Sequence, residues 1–495
     1  MADTSGAPVR VRFAPSPTGY LHIGGLRTAL YNYLFARQHG GQFLLRIEDT
    51  DQERFVPGSE DDILASMRWA GLAYDEGLGV GGPHPPYRQS ERKALGVYER
   101  YAWQLVNAGD AYVAFDTAEA LEAARAADPT FRYDARTRLR MHNGETLSAG
   151  EVEGLIASGQ PYVIRLKVMP GETIRFTDQI RGEVAFNTSE VDDQVLLKSD
   201  GMPTYHLANV VDDHEMGITH VIRGEEWLPS TPKHLLLYRA LGWSPPVFAH
   251  LPLILSPTGG KLSKRNAEQM GILVSVVQYR EAGYEPEALV NYLAFLGWNP
   301  GTEQELFTLD ELVAAFRLDR VGAAGTRFDL DKLRWYNGQY LRRLSPEALA
   351  AKVRPSLEKH GFQPDDAYLH AVVELMRERL AMAGDLAADA AYFFVDPDTY
   401  DPKAVEKNWK PETAALLADY ALTLEALETF TAETIEAALR SLAETRGVGA
   451  GKLIHPARLA VSGVATGPSL FHLMEVLGRD VCLRRIRRAV AVLGH

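Results

Sequence analysis

Residues 10–25, RVRFAPSPTGYLHIGG, narrow the folds open to this chain more than any other stretch. Val11 and Phe13 predict a short strand, which Pro15 and Pro17 stop. Gly19 permits a turn. His22-Ile23-Gly24-Gly25 then opens a helix over 24–39, in which Leu26, Ala29, Leu30, Tyr33 and Leu34 recur at helical spacing. A strand turning sharply into a helix N-terminus gathers phosphates, because the first backbone N–H groups of a helix have no partner within it. A histidine in that first turn can touch a polyphosphate, and neighbouring glycines let a flat base approach the backbone. An ordinary βα turn with a solvent-facing histidine has the same pattern, so this stretch alone leaves both readings open.

At 495 residues the chain has the length for three or four domains of about 100–200 residues. It is 46% hydrophobic and 24% charged, the balance of a globular protein with a buried core. No run of about 18 apolar residues could span a bilayer, and residues 1–9 carry no charged-then-apolar leader. The single cysteine, Cys482, excludes an internal disulfide and any cysteine-rich zinc site. A cytoplasmic protein without membrane contact is therefore expected. The net charge of −13 speaks against a general nucleic-acid binder but leaves room for a specific one, since binding depends on where basic residues cluster.

Residues 42–47 predict a second strand, followed at once by Glu48-Asp49-Thr50-Asp51. Strand ends are where open α/β sheets bind ligands. The same carboxylates also suit a solvated, helix-capping loop. Helices are expected over 58–71 and 90–109, with a strand over 111–115. GLGVGG at 77–82 has the form G-x-G-x-x-G, but Pro83-His84-Pro85-Pro86 cannot open the helix which that fingerprint requires, so it is a loop.

The texture then changes. A helix over 117–127, the arginines Arg132, Arg136, Arg138 and Arg140, and strands over 162–168, 173–176 and 183–186 read as an α+β insertion. The arginines fit either a charged surface or phosphate contacts. The α/β pattern resumes with a strand at 195–197, a helix opening at 203–209 and a strand at 220–226. A helix at 231–242 and a strand at 247–255 follow. Asp212-Asp213-His214 makes a poor metal trio, since successive helical positions point in different directions.

Residues 256–265, SPTGGKLSKR, place Lys261 and Lys264 around Ser263 after a flexible turn. Leu262 stands where a P-loop needs Ser or Thr, and the upstream glycine is missing. A mobile basic surface loop and a phosphate-contacting loop both remain open. From about 275 onward the pattern is almost wholly helical, with a connection at 325–330. Helices are expected near 346–360, 366–385, 411–428, 432–446, 454–460 and 469–492. Arg484, Arg485, Arg487 and Arg488 give the last one a basic end, suited to a helix C-terminus.

The helix-opening His-x-Gly and the lysine–serine–lysine loop about 240 residues later resemble the two signatures of class I aminoacyl-tRNA synthetases. APSPTG before the histidine, RIEDTD at 46–51, KSDG…PTYHLANVVDDH at 198–214 and RGEEWL at 223–228 narrow the resemblance to the bacterial glutamyl-tRNA synthetases. It extends over the whole length. The resemblance implies a Rossmann-type parallel-sheet catalytic domain (1–109 and 196–255) carrying an α+β insertion at 110–195 that meets the tRNA acceptor end. It further implies a stem-contact domain with the KLSKR loop at 256–340. An all-α anticodon-binding region follows, in two parts, 341–400 and 401–495.

The implied reaction joins L-glutamate to ATP, brought in as its Mg2+ complex, giving glutamyl-adenylate and pyrophosphate. The acyl group then passes to the 2′-hydroxyl of the terminal adenosine of tRNA(Glu). By the same resemblance His22, Gly24, Glu226 and Lys264 hold ATP. Lys264 neutralises charge building on the phosphates, and Lys261 assists loop closure. Arg12 and Arg223 hold glutamate's carboxylates and Glu48 its ammonium, while Ala14, Ser16, Tyr205 and Asn209 complete the pocket. Asp49 and Asp51 are expected to be structural. Arg379 matches a position tied to the last anticodon base, and a monomer is expected.

The first signature ends in Gly25 where many class I enzymes have a second histidine, and the zinc module of some relatives cannot form with one cysteine. A related enzyme that glutamylates a modified tRNA base lacks the helical C-terminal third. SPTG and RGEEW favour glutamate over glutamine. Intact His22, Glu48, Arg223 and Lys264 argue against a non-catalytic tRNA-binding paralogue, and a small-molecule adenylyltransferase needs no anticodon module.

Overall fold

The structure, a computed structural model, describes residues 8–494 apart from the side chain of Lys264. Most of the leader reading, residues 1–7, lies outside the described residues. The chain divides into two units: the residues up to Ala282 together with Pro286–Lys332, and Gly283–Glu285 together with Leu333 onward.

In the first unit β1 (Arg10–Phe13), β2 (Gln42–Leu45) and β3 (Glu76–Gly77) pair in parallel, with Phe13 opposite Leu45. The helix between β1 and β2, Ile23–Gln38, is the crossover that parallel strands require. Leu26, Ala29, Leu30, Tyr31 and Leu34 are fully buried; Tyr31 takes the interior place expected of Tyr33, its hydroxyl donating to the Ala294 carbonyl at 2.9 Å.

A second antiparallel sheet is made of β4 (Ala111–Ala114), β5 (Val163–Leu166) and β8 (Val195–Leu197). Between its strands runs the hairpin of β6 (Thr173–Asp178) and β7 (Gly182–Asn187). β9 (His220–Gly224) pairs in parallel with β10 (Val247–Leu251). The Thr219 N–H donates to the Arg10 carbonyl at 2.9 Å and joins β9 to β1. β11 (Ile254–Leu255) pairs with β12 (Thr326–Arg327).

These pairings correct four sequence expectations. The hairpin at 173–187 is not confined to the insertion, because Asp178 pairs with Phe248 of β10 and so joins the sheet of β9 and β10. The strand at 195–197 joins the insertion's sheet instead of the resumed α/β sheet. Residues 188–194 are too few for the crossover a parallel neighbour needs. The strand expected over 247–255 breaks between Leu251 and Ile254, at Pro252. The helix over 90–109 breaks at Gly96, whose φ of 70° is left-handed.

The second unit is helical around an apolar core that includes Leu349, Leu369, Leu417, Leu439, Leu453 and Ile486. The helix expected at 366–385 ends at Met376, and that at 469–492 is two, Leu470–Leu477 and Arg479–Leu493, parted at Gly478. Pro402–Asn408 is a further helix, capped by the Asp401 carboxylate. The arginines of the last helix are not free cations at its end. Arg484 and Arg485 both pair with Asp396, Arg487 with Glu425 and Arg488 with Asp398, while Arg485 is buried and also donates to the carbonyls of Tyr392 and Val461. In the insertion, Arg138 is likewise buried against Asp193 at 2.9 Å, which leaves Arg132, Arg136 and Arg140 as the exposed members of that cluster.

Candidate active site

Two buried arginines lie on either side of Tyr205. Arg12, from β1, grips Asp213 with both edges of its fork, Nε to Oδ1 at 3.0 Å and Nη2 to Oδ2 at 3.1 Å. Asp213 also accepts from Arg46 Nη1 at 2.8 Å, and Arg46 Nη2 donates to Glu48 Oε1 at 2.8 Å. Asn209 Nδ2 reaches the same Glu48 oxygen at 3.2 Å. Two guanidiniums and two carboxylates thus pair here, and Arg46 Nε also lies 3.7 Å from the buried Asp212. Burial alone pushes the Asp213 carboxyl up, but Arg12 and Arg46 outweigh it and hold it below the usual carboxylate range. What the set leaves unfilled is specific: Arg12 Nη1 and Glu48 Oε2 make no hydrogen bond among the described residues.

Arg223, at the end of β9, is 5% exposed and is held otherwise. Its five N–H groups meet five acceptors: Nε goes to His250 Nε2 (3.1 Å). Nη1 goes to the Tyr205 hydroxyl (3.0 Å) and His234 Nδ1 (3.3 Å), and Nη2 to Thr231 Oγ1 (3.0 Å) and the Trp227 carbonyl (3.3 Å). None of the five is a carboxylate. Burial, helped by Arg223, drives His234 well below the ordinary histidine value. His250 is also lowered by burial, against the pull of Asp178, whose Oδ2 is 2.6 Å from His250 Nδ1. Both rings are neutral, as acceptors of guanidinium N–H must be.

The two sets adjoin at Tyr205. Burial raises its hydroxyl's pKa, and the charges of Arg223, Glu48, Arg12 and Asp213 all reach it. Its ring lies 4.3 Å from that of Trp227, which is partly exposed.

His22 caps the helix Ile23–Gln38, its Nδ1 accepting the Gly25 N–H at 3.0 Å. In the neutral ring the proton is then on Nε2. A Cβ at Gly24 would lie 3.0 Å from His22 Nδ1, so glycine there keeps the cap in place. Ala14 and Ser16 flank Pro15, whose carbonyl accepts the Glu48 N–H at 3.0 Å. Glu226 is exposed and folds back over Gly224.

The KLSKR loop turns at Ser256–Gly260, and Lys261 bridges back to Leu255 with its side chain exposed. Ser263 caps the short helix Lys264–Gln269; the Lys264 side chain lies outside the described residues. Five residues after that helix the chain pairs on both sides of His22, with Ile23 N–H to the Val274 carbonyl (3.0 Å) and Val276 N–H to the Leu21 carbonyl (2.8 Å). The two lysine and histidine signatures are tied through this pairing. Arg379 lies in the other unit, exposed on the turn Arg377–Arg379.

Arg12, Glu48, Tyr205, Asn209 and Arg223 are thus brought together. Residues not singled out for the pocket hold them: Asp213, Arg46, His250, His234, Thr231 and Asp178. Arg46 had a signal, a charge at the end of an apolar strand. Asp213 was visible only in the run weighed as a metal trio; among the described residues no group of three His, Cys, Asp or Glu is placed to hold an ion. Asp49 is structural as expected, accepting from Ser90 N–H at 2.8 Å and its hydroxyl at 2.5 Å.

Residues 8–335 match the catalytic-domain family "tRNA synthetases class I (E and Q)", and residues 348–490 match an anticodon binding domain. A glutamate–tRNA ligase of Porphyromonas gingivalis is 50% identical over 508 residues, covering 99% of this chain and 100% of that one. One from Cytophaga hutchinsonii is 49% identical, covering 100% and 99%. The crystal structure of a glutamate tRNA ligase from Elizabethkingia meningosepticum, in complex with its amino acid, superposes with a TM-score of 0.92 at 45% identity. That match covers 98% of this chain and 100% of the other.

Proposed function

The chain belongs to the class I tRNA synthetases for glutamate and glutamine, as a glutamate–tRNA ligase, and from that premise we propose a role for each residue of its site. The carrying observation is the pair of groups left unfilled beside the two arginines, Arg12 Nη1 and Glu48 Oε2. A small zwitterion with two carboxylates and one ammonium fits that arrangement. Arg12 and Arg223 take the carboxylates and Glu48 Oε2 the ammonium; Tyr205 and Asn209 orient the groups that do so, and Ala14 and Ser16 form the pocket's edge.

Glutamate's α-carboxylate oxygen attacks the α-phosphorus of ATP, presented as its Mg2+ complex, and pyrophosphate leaves. No protein nucleophile is needed, so catalysis is positioning and charge stabilisation. His22 donates from Nε2 to a phosphate oxygen at the helix N-terminus, where backbone N–H groups favour anions. Gly24 and Glu226 border the nucleoside, and Lys264, with Lys261 on the same loop, balances charge as pyrophosphate departs. The pairing of residues 274–276 around His22 supports joint action of loop and histidine. The 2′-hydroxyl of the tRNA's terminal adenosine then attacks the acyl carbon, releasing AMP.

Residues 110–195 meet the acceptor end, 256–340 contact the stem, and the helices of 341–400 and 401–495 bind the anticodon. Arg379 lies in that last region, exposed and without an ion-pair partner among the described residues. The chain works without zinc, as one cysteine cannot build a cysteine-rich zinc module, and as a monomer. Its family's part in translation supports a cytoplasmic location; among the described residues no helix is long and apolar enough to cross a membrane.

ATP–pyrophosphate exchange, run with and without tRNA, tests this reading. Exchange should require glutamate and fall at least about a hundredfold in Lys264→Ala, in line with the loss of a phosphate-stabilising charge. Glutamate-independent exchange, or full activity in the variant, would sink the mechanism.

A further inference from the structure

Arg223 has every donor filled and no anion on any of them. A buried guanidinium ordinarily pairs with a carboxylate, because an uncompensated charge in a low-dielectric interior is strongly disfavoured. We propose that Thr231, His250, His234 and Asp178 are positioning residues for Arg223, a neutral cradle that fixes the guanidinium while reserving its charge for the substrate's carboxylate. The inference rests on the reading above, in which Arg223 holds that carboxylate.

The cradle has a back and a front. Thr231, His250 and His234 are at most 1% exposed and take one N–H from each of Nη2, Nε and Nη1. The Tyr205 hydroxyl and the Trp227 carbonyl take the remaining N–H of Nη1 and Nη2, and both residues are less buried. A ligand carboxylate can replace these two weak neutral acceptors, one on each terminal nitrogen, without disturbing the back three.

Each tautomer is dictated. His250 Nε2 accepts from Arg223, so its proton sits on Nδ1 and is donated to Asp178 Oδ2. His234 Nδ1 accepts from Arg223, so its Nε2–H faces His206 Nδ1 at 3.2 Å. Asp178 is the near carboxylate, and it is held off Arg223 by the width of an imidazole. It orients the ring without neutralising the arginine. The register that delivers it, Asp178 opposite Phe248, comes from the insertion's hairpin. A cation so placed prefers a carboxylate to the equal-sized amide, because only the former supplies the missing charge.

The test is ATP–pyrophosphate exchange on the full-length enzyme with tRNA present, reading KM for glutamate, KM for ATP and the glutamate-to-glutamine ratio of kcat/KM. Thr231→Val keeps the shape and removes an acceptor; Thr231→Ser keeps the acceptor. His250→Leu removes the ring acceptor, and His250→Gln restores one near the Nε2 position. Thr231→Asp brings an anion into the cradle. Valine and leucine variants should raise KM for glutamate by about tenfold or more with KM for ATP steady, as expected for one lost hydrogen bond to a charged group. Serine and glutamine should recover most of that. The aspartate should raise it further and erode the preference for glutamate over glutamine.

Unchanged glutamate KM in Thr231→Val and His250→Leu, parallel rises in both KM values, or no recovery by the conservative variants would overturn the cradle. Arg223→Lys separates this from the reading beneath it. If glutamate KM survives that change, Arg223 does not hold substrate; if it collapses while the Thr231 and His250 variants behave as wild type, only the cradle is wrong.

Discussion

Arg12 and Arg223 are both buried, both adjoin Tyr205, and are held in opposite ways. Arg12 has its charge paired and a terminal nitrogen unfilled; Arg223 has its donors filled and its charge unpaired. The first can offer a ligand hydrogen bonds, the second an electrostatic vacancy. The proposed pocket, built from one of each, takes two carboxylates without placing two uncompensated cations side by side. The difference also assigns the cost of each site. Around Arg12, stability depends on the pairing; around Arg223, binding does.

The widest separation is expected in stability. Asp213→Ala strands Arg12 as a buried cation and takes one carboxylate from Arg46, and should cost about 3–5 kcal/mol, measured by urea unfolding. Arg223→Met removes a cation whose partners are neutral. Thr231 Oγ1 and His250 Nε2 are already 3.3 Å apart and can bond each other, so its loss should be nearer 1–2 kcal/mol. Equal losses from the two substitutions would break the contrast.

Activity should reverse the order. Arg223→Met should lower kcat/KM for glutamate by about a hundredfold or more, while its stability stays closest to wild type. A smaller effect is expected at the other carboxylate. Asn209→Ala removes one of the two donors that hold Glu48 Oε1, and should raise KM for glutamate about tenfold with little change in KM for ATP. An equal rise in KM for ATP would place Asn209 outside the amino-acid pocket.

Half of this contrast was legible in the sequence. His22, the KLSKR lysines and Glu48 lie in short motifs whose chemistry is local, and the opening strand and helix follow from two proline stops and a 3.6-residue period. Arg12 and Arg223 were singled out only through the family resemblance, as guanidiniums suited to carboxylates. Their surroundings were not legible, because charge state depends on residues about 200 positions away, as Asp213 is from Arg12. Asp178 was less legible still. It reaches His250 only because a hairpin assigned to the insertion pairs with β10, and one residue of register decides that contact. The arginines at 484–488 failed for a related reason: sequence shows a run of cations but not the Asp396 that binds two of them.

The subtlest separation is in pH. His206, next along from His234, is brought down to about 4, chiefly by burial and then by Lys233. An unfolded histidine titrates near ~6.5, so between roughly pH 6.5 and 4 the unfolded chain binds more protons and folding stability falls as pH falls. His234 and His250 are lowered too and add to that slope with the same sign. The Arg12 set works in a different window. Asp213 is held below its unfolded value of ~3.9, so its contribution is present above that pH and is lost only as pH falls through its lowered folded value. Replacing His206 by Gln should flatten Tm against pH between about 6.5 and 4, by a few degrees, and leave the limb below pH 4 unchanged. If the substitution instead altered the limb below pH 4, the neutral-histidine and paired-carboxylate regions would be titrating as one set, and the two arginines would not be independently held.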